Sequence, residues 1–402
     1  MTRHRPTSLW VITLALLAWN GHAATDTLAE LRPLYDGNML PGVEVTTFSH
    51  SERLQPVRIV HRGKSSRPLR KGLAPFPPIH FEIRGHQFDL YDYLATNRVA
   101  GILVLKDGKI AFEDYELGTG PNTHWLSFSM AKSITSTLVG AALRDGSISS
   151  LDDPVVRYVP ALKGSAYDGV SIRQILTMSS GVRWNETYTD PKSDRRKVLE
   201  LQIAGKPGEI LRYMGSLPRA APPGSRWNYS TGETFVLGVV VEGATNRSLS
   251  DYLSEKIWSP AGMEQDATWW VDGPQGSTWA GSGIGATLRD YGRFALIAAD
   301  QGRLNGRFIV PEGWFEEAGV AHPIGGKMVD YGYMWWVLPR TSAPIHAGAF
   351  AAVGIFGQYM YINPKEHLAI VVLSARPKPE DASRDELADD AAFFAAVATA
   401  LH

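Results

Sequence analysis

A serine and a lysine three positions apart form the first pair of residues that can do chemistry. The sequence Ser129-Met130-Ala131-Lys132 opens a stretch whose apolar residues repeat at helical spacing as far as Arg144. Residues three apart share a helical face, so Lys132 should lie beside the Ser129 hydroxyl. A serine becomes a nucleophile when a nearby base takes its proton, and a lysine can be that base if burial keeps it uncharged. The pair predicts a nucleophilic serine; the alternative is a helix-capping serine followed by a surface lysine.

A tyrosine further along the chain is the third candidate. Tyr229 follows Ser129 by 100 positions. Ser230 and Glu233 have the spacing of a capping box, which predicts that Tyr229 lies just outside the start of a helix. The loop 222–228 before it contains two prolines and a glycine and can hold a phenol towards a cleft. A tyrosine that only packs against its own helix is the alternative.

These three residues together resemble the serine β-lactamase and DD-peptidase superfamily, in which Ser-x-x-Lys is followed, after a gap like this one, by Tyr-x-Asn or a relative. The resemblance runs from residue 88 almost to the end of the chain, and the stretches 151–154, 172–181 and 286–290 look like the class C β-lactamase and esterase branch. It implies an α/β (α+β) fold, a β-lactamase/transpeptidase-like antiparallel sheet flanked by helices with an inserted helical lobe. It also implies that Ser129, Lys132 and Tyr229 are catalytic.

Two departures from the superfamily pattern bear on the substrate. The sequence has no Lys-Thr-Gly motif, and the strand that would carry it is expected within Pro344–Val353, with the slot near Ala349–Ala351. Thr231 stands where the second motif has an amide residue. Both losses remove groups that hold a β-lactam, so the resemblance implies a neutral acyl group. The same resemblance makes Ala351 the expected substrate-binding position on that strand, from which a backbone N–H stabilises the oxyanion.

Within the superfamily, the sequence resembles the 6-aminohexanoate-dimer hydrolases. This likeness is carried by Ser-Met-Ala-Lys, by residues 184–191 and by Gly-x-x-Gly-Gln at 354–358. It implies that Tyr188 contacts a substrate amide, although Tyr188 can equally be a packing aromatic on a loop. The expected function is hydrolysis of a small-molecule amide or ester through an acyl-enzyme on Ser129, without a cofactor.

Other functions remain open on the same fold: a carboxylesterase, a β-lactamase or a D-amino-acid peptidase. A non-catalytic peptidoglycan-binding protein is the alternative from another class, and the presence of all three candidate catalytic residues argues against it. The glycines at 281, 283 and 285 resemble a nucleotide-binding loop, but no clear strand precedes them. No histidine pair has the spacing of a zinc site, so no metal is expected.

The secondary structure that would position these residues follows from hydrophobic periodicity. Gly101–Leu105 and Ile110–Tyr115 flank an Asp-Gly turn and predict a β-hairpin. The C-terminal third predicts strands and a last helix at Tyr331–Leu338, Ile355–Ile362, His367–Ser374 and Ala382–Leu401. Strands at both ends with helices between them predict one sheet in which the N-terminal and C-terminal strands pair.

The N-terminus has the pattern of a secretory signal. Arg3 and Arg5 precede an apolar run from Leu9 to Trp19, which is too short to cross a bilayer as a helix, and small residues end at Ala23. We expect a signal peptide over residues 1–23, cleaved after Ala23, and a periplasmic or secreted protein. Prolines predict an irregular N-terminal extension over 24–87, followed by the hydrolase domain over 88–402.

Composition excludes several classes of protein. The 402 residues are 44% hydrophobic and 20% charged, as in an ordinary globular protein. A formal net charge of −1 gives no reason to expect a nucleic-acid partner, or a membrane partner once the signal is cleaved. The sequence contains no cysteine, so a cysteine nucleophile and a cysteine-ligated metal are excluded. Oligomeric state is left open.

Overall fold

The computed structural model of the protein describes residues 31–338, 343–379 and 384–402. The signal-peptide prediction for residues 1–23 lies outside the described residues. Within the described ranges, every helix is too short or too polar to span a bilayer.

Helices lie in all parts of the described chain. In chain order they are α1 (Leu31–Asp36), α2 (Pro41–Ser49), α3 (Leu90–Thr96), α4 (Met130–Arg144), α5 (Ile172–Leu176), α6 (Asp194–Ala204), α7 (Glu209–Ser216), α8 (Thr231–Thr245), α9 (Leu249–Leu253), α10 (Ser259–Ala261), α11 (Leu288–Ala299), α12 (Trp314–Ala318) and α13 (Arg384–Ala400).

Strands concentrate towards the two ends of the chain. In chain order they are β1 (Val57–Val60), β2 (Arg70–Lys71), β3 (His80–Ile83), β4 (His86–Asp89), β5 (Val99–Lys106), β6 (Lys109–Tyr115), β7 (His124–Leu126), β8 (Ala267–Trp270), β9 (Ile284–Thr287), β10 (Arg303–Leu304), β11 (Arg307–Phe308), β12 (His322–Ile324), β13 (Lys327–Val329), β14 (Trp336–Val337), β15 (Phe350–Gly354), β16 (Gln358–Asn363) and β17 (Leu368–Ser374).

A seven-stranded sheet with the order β14-β15-β16-β17-β5-β6-β2 forms the centre of the fold. Its neighbouring strands are antiparallel except for the short β2–β6 pair. The C-terminal β17 pairs with the N-terminal β5, which confirms the predicted closure of the sheet by strands from both ends. A smaller antiparallel sheet, β1-β8-β9-β7, leads into α4.

Alternation along the strands divides the large sheet into two buried faces. In β17, Ala369, Val371 and Leu373 belong to the core shared with α4, α8 and α11, which we call the cleft face. Leu368, Ile370 and Val372 point the other way, into a second core shared with α3 and α13, which we call the far face. Every residue of β17 is buried, because helices cover both faces of this strand.

The region 24–87, predicted to be irregular, contains helices and strands in its described part, residues 31–87. This part begins with α1 and α2, and β1 then pairs in register with β8 from Val57 opposite Trp270 to Val60 opposite Ala267. Of the prolines that suggested a loose arm, Pro33 lies within α1 and Pro41 begins α2, whereas the others lie between the short elements, where a missing N–H interrupts no helix.

The predicted strand Tyr331–Leu338 is also shorter than expected. Only Trp336 and Val337 join the sheet, because the chain turns at 332–335, where the Gly332 N–H donates to the Trp335 carbonyl at 2.8 Å. Tyr331 consequently folds back to form an isolated bridge with Trp336.

Candidate active site

Ser129 occupies the N-terminal end of α4, directly after a tight turn. Phe128, before it, has φ +44°, a left-handed conformation that is uncommon for a large side chain. Ser129 is the N-cap residue of α4, yet its side chain makes no capping hydrogen bond. The hydroxyl is therefore not committed to the helix, which argues against the interpretation of Ser129 as a simple cap.

Lys132 lies one helical turn further on and is buried. Its Nζ donates to the Ser129 Oγ at 2.7 Å and to the Gly281 carbonyl oxygen at 3.0 Å. Burial lowers the pKa of Lys132 to about 7, the charge of Glu186 opposes this shift, and the charge of Arg195 adds to it. At neutral pH a large fraction of Lys132 is thus an uncharged amine in contact with a serine hydroxyl, which is the state a general base needs.

Gly281, the carbonyl acceptor for Lys132, lies where a side chain has no room. A Cβ at this position would lie 2.8 Å from Cγ2 and 3.0 Å from the carbonyl oxygen of Thr231. The glycine-rich stretch that resembled a nucleotide loop therefore packs against the start of α8 and supplies a backbone acceptor. Sequence reasoning did not assign this role, since a carbonyl acceptor leaves no side-chain signature.

Tyr229 lies across the cleft from the serine helix. Its ring centroid is 5.0 Å from the Lys132 Nζ, and the Ser129 side chain lies close enough to the phenol to lower its pKa. Burial is the main cause that raises the pKa of this phenol, and the charge of Glu186 raises it further. The structure thus brings the three residues predicted as catalytic into mutual contact, with a phenol that stays protonated beside an amine that readily loses its proton.

The start of α8 fixes the position of Tyr229. Ser230 is the N-cap and accepts a hydrogen bond from the Glu233 N–H at 3.1 Å. Only this half of the predicted capping box forms, because the Glu233 carboxyl turns away and accepts a hydrogen bond from Ser180 instead. Tyr229 stands immediately before the cap, as the sequence indicated.

Aromatic rings form one wall of the cleft around Tyr229. Trp227, Tyr331 and Trp336 have ring centroids 6.4, 6.0 and 5.7 Å from that of Tyr229. Trp227 and Trp336 are partly exposed, whereas Tyr331 is buried. Such a wall suits an apolar acyl chain or leaving group.

Glu186 is a site residue to which sequence reasoning gave no role. Its carboxylate accepts hydrogen bonds from the Thr231 N–H at 2.9 Å, from the Thr231 Oγ1 at 2.5 Å and from the Trp184 Nε1. Its negative charge acts on Lys132 and Tyr229. Thr231, which replaces the amide residue of the second motif, therefore already uses its N–H and its hydroxyl in hydrogen bonds to this carboxylate. The position of Glu186 depends on a long loop, so its spacing in the sequence carried no signal.

Tyr188 is buried on the same loop, two residues after Glu186. Its pKa is raised chiefly by burial, and the nearby Glu186 and Tyr229 contribute to the increase. Its ring packs at 6.2 Å from the ring of Tyr35 in α1. Tyr188 therefore lies near the Tyr229 phenol and also has a packing role, so the geometry leaves both of its predicted interpretations standing.

The strand expected to carry the third motif is β15, and its end approaches the serine turn. A Cβ on Gly354 would lie 3.0 Å from the Ser127 carbonyl oxygen, and the rings of Phe356 and Phe128 are 4.8 Å apart. Ala351, the predicted binding position, lies three residues earlier, pairs with Trp336 and buries its side chain in the far-face core. Gly354 and Phe356 at the end of the strand therefore contact the serine turn, while the role expected of the Ala351 backbone stays a prediction.

Comparison with known proteins agrees with this geometry. The sequence profile of the Beta-lactamase family matches residues 92–393. The chain belongs to the β-lactamase family. Among members with a described activity, the 6-aminohexanoate-dimer hydrolase of Paenarthrobacter ureafaciens is 30% identical over 308 residues, which cover 73% of this chain and 76% of that protein. Esterase EstB of Burkholderia gladioli is 27% identical over 300 residues, covering 61% and 76% of the two chains.

Solved structures of other hydrolases resemble this chain in fold. A protein from Bacillus anthracis, solved as a candidate 6-aminohexanoate-dimer hydrolase, superposes with a TM-score of 0.77 at 23% identity and covers 88% of this chain and 93% of its own. EstCE1, a hydrolase with promiscuous acyltransferase activity, superposes with a TM-score of 0.62 at 14% identity, over 77% and 96% of the two chains. These likenesses confirm the expected fold class.

The predicted enzyme class is confirmed by the same relatives. The chain is a serine hydrolase of the β-lactamase family, and the relatives named here include an amidase and an esterase. In the described part of the chain, no cluster of three histidine, aspartate or glutamate side chains has the geometry of a metal site.

Proposed function

We propose that this enzyme hydrolyses the amide or ester bond of a small molecule with an uncharged acyl group, through an acyl-enzyme on Ser129. The observation that carries the proposal is the 2.7 Å contact between the Lys132 Nζ and the Ser129 Oγ, in a buried setting that favours the uncharged amine. A lysine held in this way has little structural value, because its charge is disfavoured where it lies.

In the first step Lys132 takes the proton of Ser129 while the Oγ bonds to the substrate carbonyl carbon. The carbonyl oxygen becomes an oxyanion, which backbone N–H groups stabilise by roughly 3–4 kcal/mol each. The N–H of Ser129 is one candidate donor. In the part of the chain that the structure describes, neither this N–H nor that of Ile355 donates a backbone hydrogen bond, so we assign the second position to Ile355 in place of Ala351.

Tyr229 completes the proton transfers. It gives its proton to the leaving nitrogen or oxygen as the carbonyl carbon loses that group, and Lys132 returns a proton to the phenolate. Water then attacks the acyl-enzyme by the same groups in reverse, which releases the acid and restores Ser129. The raised pKa of Tyr229 supports this order, since the phenol holds its proton until a stronger base, the departing amine, forms beside it.

A linear aliphatic amide is the substrate class we propose first. The support is the 30% identity to a 6-aminohexanoate-dimer hydrolase and the burial of Tyr188 beside Tyr229. A carboxylester is the second candidate, supported by the likeness to esterase EstB. β-Lactams should be poor substrates, because Glu186 already occupies Thr231, and β15 carries no lysine for a carboxylate.

A fluorophosphonate probe followed by mass spectrometry tests the proposed nucleophile. The wild-type protein should gain one probe mass, located on the peptide that contains Ser129, and it should hydrolyse p-nitrophenyl esters. Ser129→Ala should lose both properties, with ester hydrolysis reduced by about 10⁴-fold or more. Labelling at another serine, or equal labelling of Ser129→Ala, would refute the assignment.

Substrate panels separate the two candidate substrates and the β-lactam alternative. Hydrolysis of a 6-aminohexanoate oligomer supports the amidase, whereas activity on esters alone supports the esterase. Hydrolysis of nitrocefin with a kcat/KM of around 10⁶ M⁻¹s⁻¹ or more would contradict the expected exclusion of β-lactams.

We also propose that the protein is exported to the periplasm or secreted after cleavage behind Ala23. The support is the basic, apolar and small-residue order of residues 3–23. N-terminal sequencing of the protein recovered from the native host should begin at Ala24, and recovery of the intact N-terminus from the cytoplasm would contradict export.

A further inference from the structure

The short N-terminal helix α1 is attached to α6 at three successive points. Arg32 forms a two-point ion pair with Glu200, at 2.8 and 2.6 Å, on the surface. Asp36 accepts a hydrogen bond from the Arg196 Nη1 at 2.6 Å. Between these two pairs, the Tyr35 hydroxyl accepts a hydrogen bond from the Arg195 Nη2. Helix α1 is therefore a specific partner of α6.

Arg195 is a buried cation without an acidic partner. It is 1% exposed, and its guanidinium also lies 4.3 Å from the centre of the Tyr35 ring and 3.4 Å from the Gln202 Oε1. Among the described residues, no carboxylate lies within ion-pair distance of Arg195, although the neighbouring Arg196 has one. Buried arginines are normally neutralised by an acid, so an arginine held by a phenol and an amide needs an explanation.

The surroundings of Arg195 lead directly to the catalytic cleft. Its backbone N–H donates to the Asn185 carbonyl at 3.1 Å, and the Arg196 Nη1 donates to the Tyr188 carbonyl at 3.2 Å. The Tyr35 ring also packs near Tyr188, and the centroids of the two rings are 6.2 Å apart. The first turn of α6 and the ring of Tyr35 thus hold both ends of the 185–188 segment, which carries Glu186 and Tyr188.

We propose that Tyr35 and Arg195 are positioning residues of the active site, through which α1 holds the 185–188 segment and a fixed positive charge beneath the cleft. This inference deepens the proposed function and rests on it. It gives the N-terminal region a role in catalysis that its position, almost a hundred residues before the nucleophile, does not indicate.

The expected consequence concerns the charge state of Lys132. The groups that face its amine are the Ser129 hydroxyl, the Gly281 carbonyl and the Tyr229 ring, together with the charges of Glu186 and Arg195. Glu186 favours the protonated amine, whereas Arg195 favours the uncharged base. Removing Arg195 leaves Glu186 unopposed, so Lys132 should bind its proton more tightly and the enzyme should need a higher pH to react.

The test is the pH dependence of fluorophosphonate inactivation, measured with the full chain together with the kcat, the KM and the melting temperature. In Arg195→Gln the acidic limb of the inactivation profile should shift to a higher pH by about half a unit or more. At a pH below the limb, this shift corresponds to an approximately threefold lower rate. Tyr35→Phe keeps the ring but frees the guanidinium, so it should produce a smaller shift in the same direction. Arg195→Lys keeps the positive charge, so its acidic limb should shift less than that of Arg195→Gln.

Arg32→Gln is the matched control, because it breaks an exposed contact between the same two helices without touching the cleft. It should leave the pH profile unchanged. If the Arg195→Gln and Tyr35→Phe profiles superpose on that of the wild type, with only the melting temperature lowered, both residues are merely structural and the proposal fails. Tyr35→Phe decides alone if Arg195→Gln does not fold. A wild-type protein that never reacts with the probe would instead refute the proposed function.

Discussion

Two buried basic side chains, one on each face of the large sheet, have opposite surroundings. On the far face, Arg376 binds both oxygens of Asp390 at 2.7 and 2.9 Å, and Asp390 also accepts the Tyr93 hydroxyl at 2.8 Å. On the cleft face, Lys132 meets a hydroxyl and a carbonyl, with no carboxylate in direct contact among the described residues.

The difference separates a cation that holds the fold together from one that is available for a reaction. In a buried ion pair each charge is matched by its partner, and removing one partner strands the other, so the pair ties two parts of the fold together. A buried amine with neutral partners is only weakly held in its charged form and exchanges its proton easily. We therefore expect substitutions on the two faces to separate activity from stability.

The largest effect is expected at Lys132. Lys132→Met keeps the length and burial of the side chain but removes the base, so the kcat/KM for a p-nitrophenyl ester should fall by about 10²–10⁴-fold. The free energy of unfolding should not fall, because an apolar group replaces a buried amine whose charged form is disfavoured by burial. Activity and urea denaturation measured on the same preparation check both parts. If Lys132→Met loses stability along with activity, the proposed difference between the two faces is wrong.

Arg376→Met should have the converse effect. Removing the guanidinium leaves Asp390 buried without its partner, which should lower the free energy of unfolding by about 3–5 kcal/mol. The kcat of the folded fraction should remain that of the wild type, since the guanidinium binds Asp390 and lies over the far-face ring of Tyr359, and the hydrogen bond from the Arg376 backbone to the Phe356 carbonyl is kept in the variant. Denaturant titration gives the stability, and active-site titration with the fluorophosphonate gives the folded fraction. A kcat reduced per titrated site would show that the far face influences the reaction.

The pH dependence of activity should reflect Lys132 alone. Because its pKa is about 7 in the folded protein, and only the uncharged amine is a base, kcat/KM should rise with pH and level off above the pKa. One unit below the pKa, activity should be about one tenth of the plateau. Ester hydrolysis measured from pH 5 to 9 tests this. A flat profile across that range would mean that Lys132 does not supply the base.

The smallest effect is expected at Tyr188, a buried tyrosine near the cleft. Tyr93, a buried tyrosine on the far face, provides the control. An amide needs its leaving nitrogen protonated and oriented, whereas p-nitrophenolate leaves without a proton. Tyr188→Phe should therefore lower amide hydrolysis about tenfold, or 1.4 kcal/mol, and ester hydrolysis less than about threefold. Tyr93→Phe, the control, should cost about 1 kcal/mol of stability and change neither activity. Equal losses on both substrates in Tyr188→Phe would make it a packing residue.

Local patterns in the sequence were sufficient for the elements that carry the nucleophile. The helix predicted from Ser129 to Arg144 is α4, and the Asp-Gly hairpin is β5 and β6 with slightly wider bounds. Both signals depend on short-range chemistry, namely helical periodicity and a turn, which the remainder of the fold does not alter. The Ser129–Lys132 contact followed from the helix alone.

Features set by distant parts of the chain could not be predicted in the same way. The position of β15 against the serine turn depends on how β14 and β16 hold it, so the motif spacing alone could not show that Gly354 approaches the Ser127 carbonyl. Glu186 and Arg195 reach the cleft through a loop and a neighbouring helix. A charged residue is most often a solvated one, and only the fold shows that Arg195 is buried and that Glu186 is hydrogen-bonded to Thr231.

The placement of β17 between β16 and β5 also sets the order in which the chain can complete its structure. β5 is synthesised early, but its partner in the middle of the sheet comes from the last tenth of the chain. Until β17 emerges, β5 has a free edge, and pairing over such a long loop is slow to form. Since β15 reaches the serine turn only as part of that sheet, a nascent chain can hold Ser129 and Lys132 on a finished helix and still be inactive until the C-terminal strands arrive.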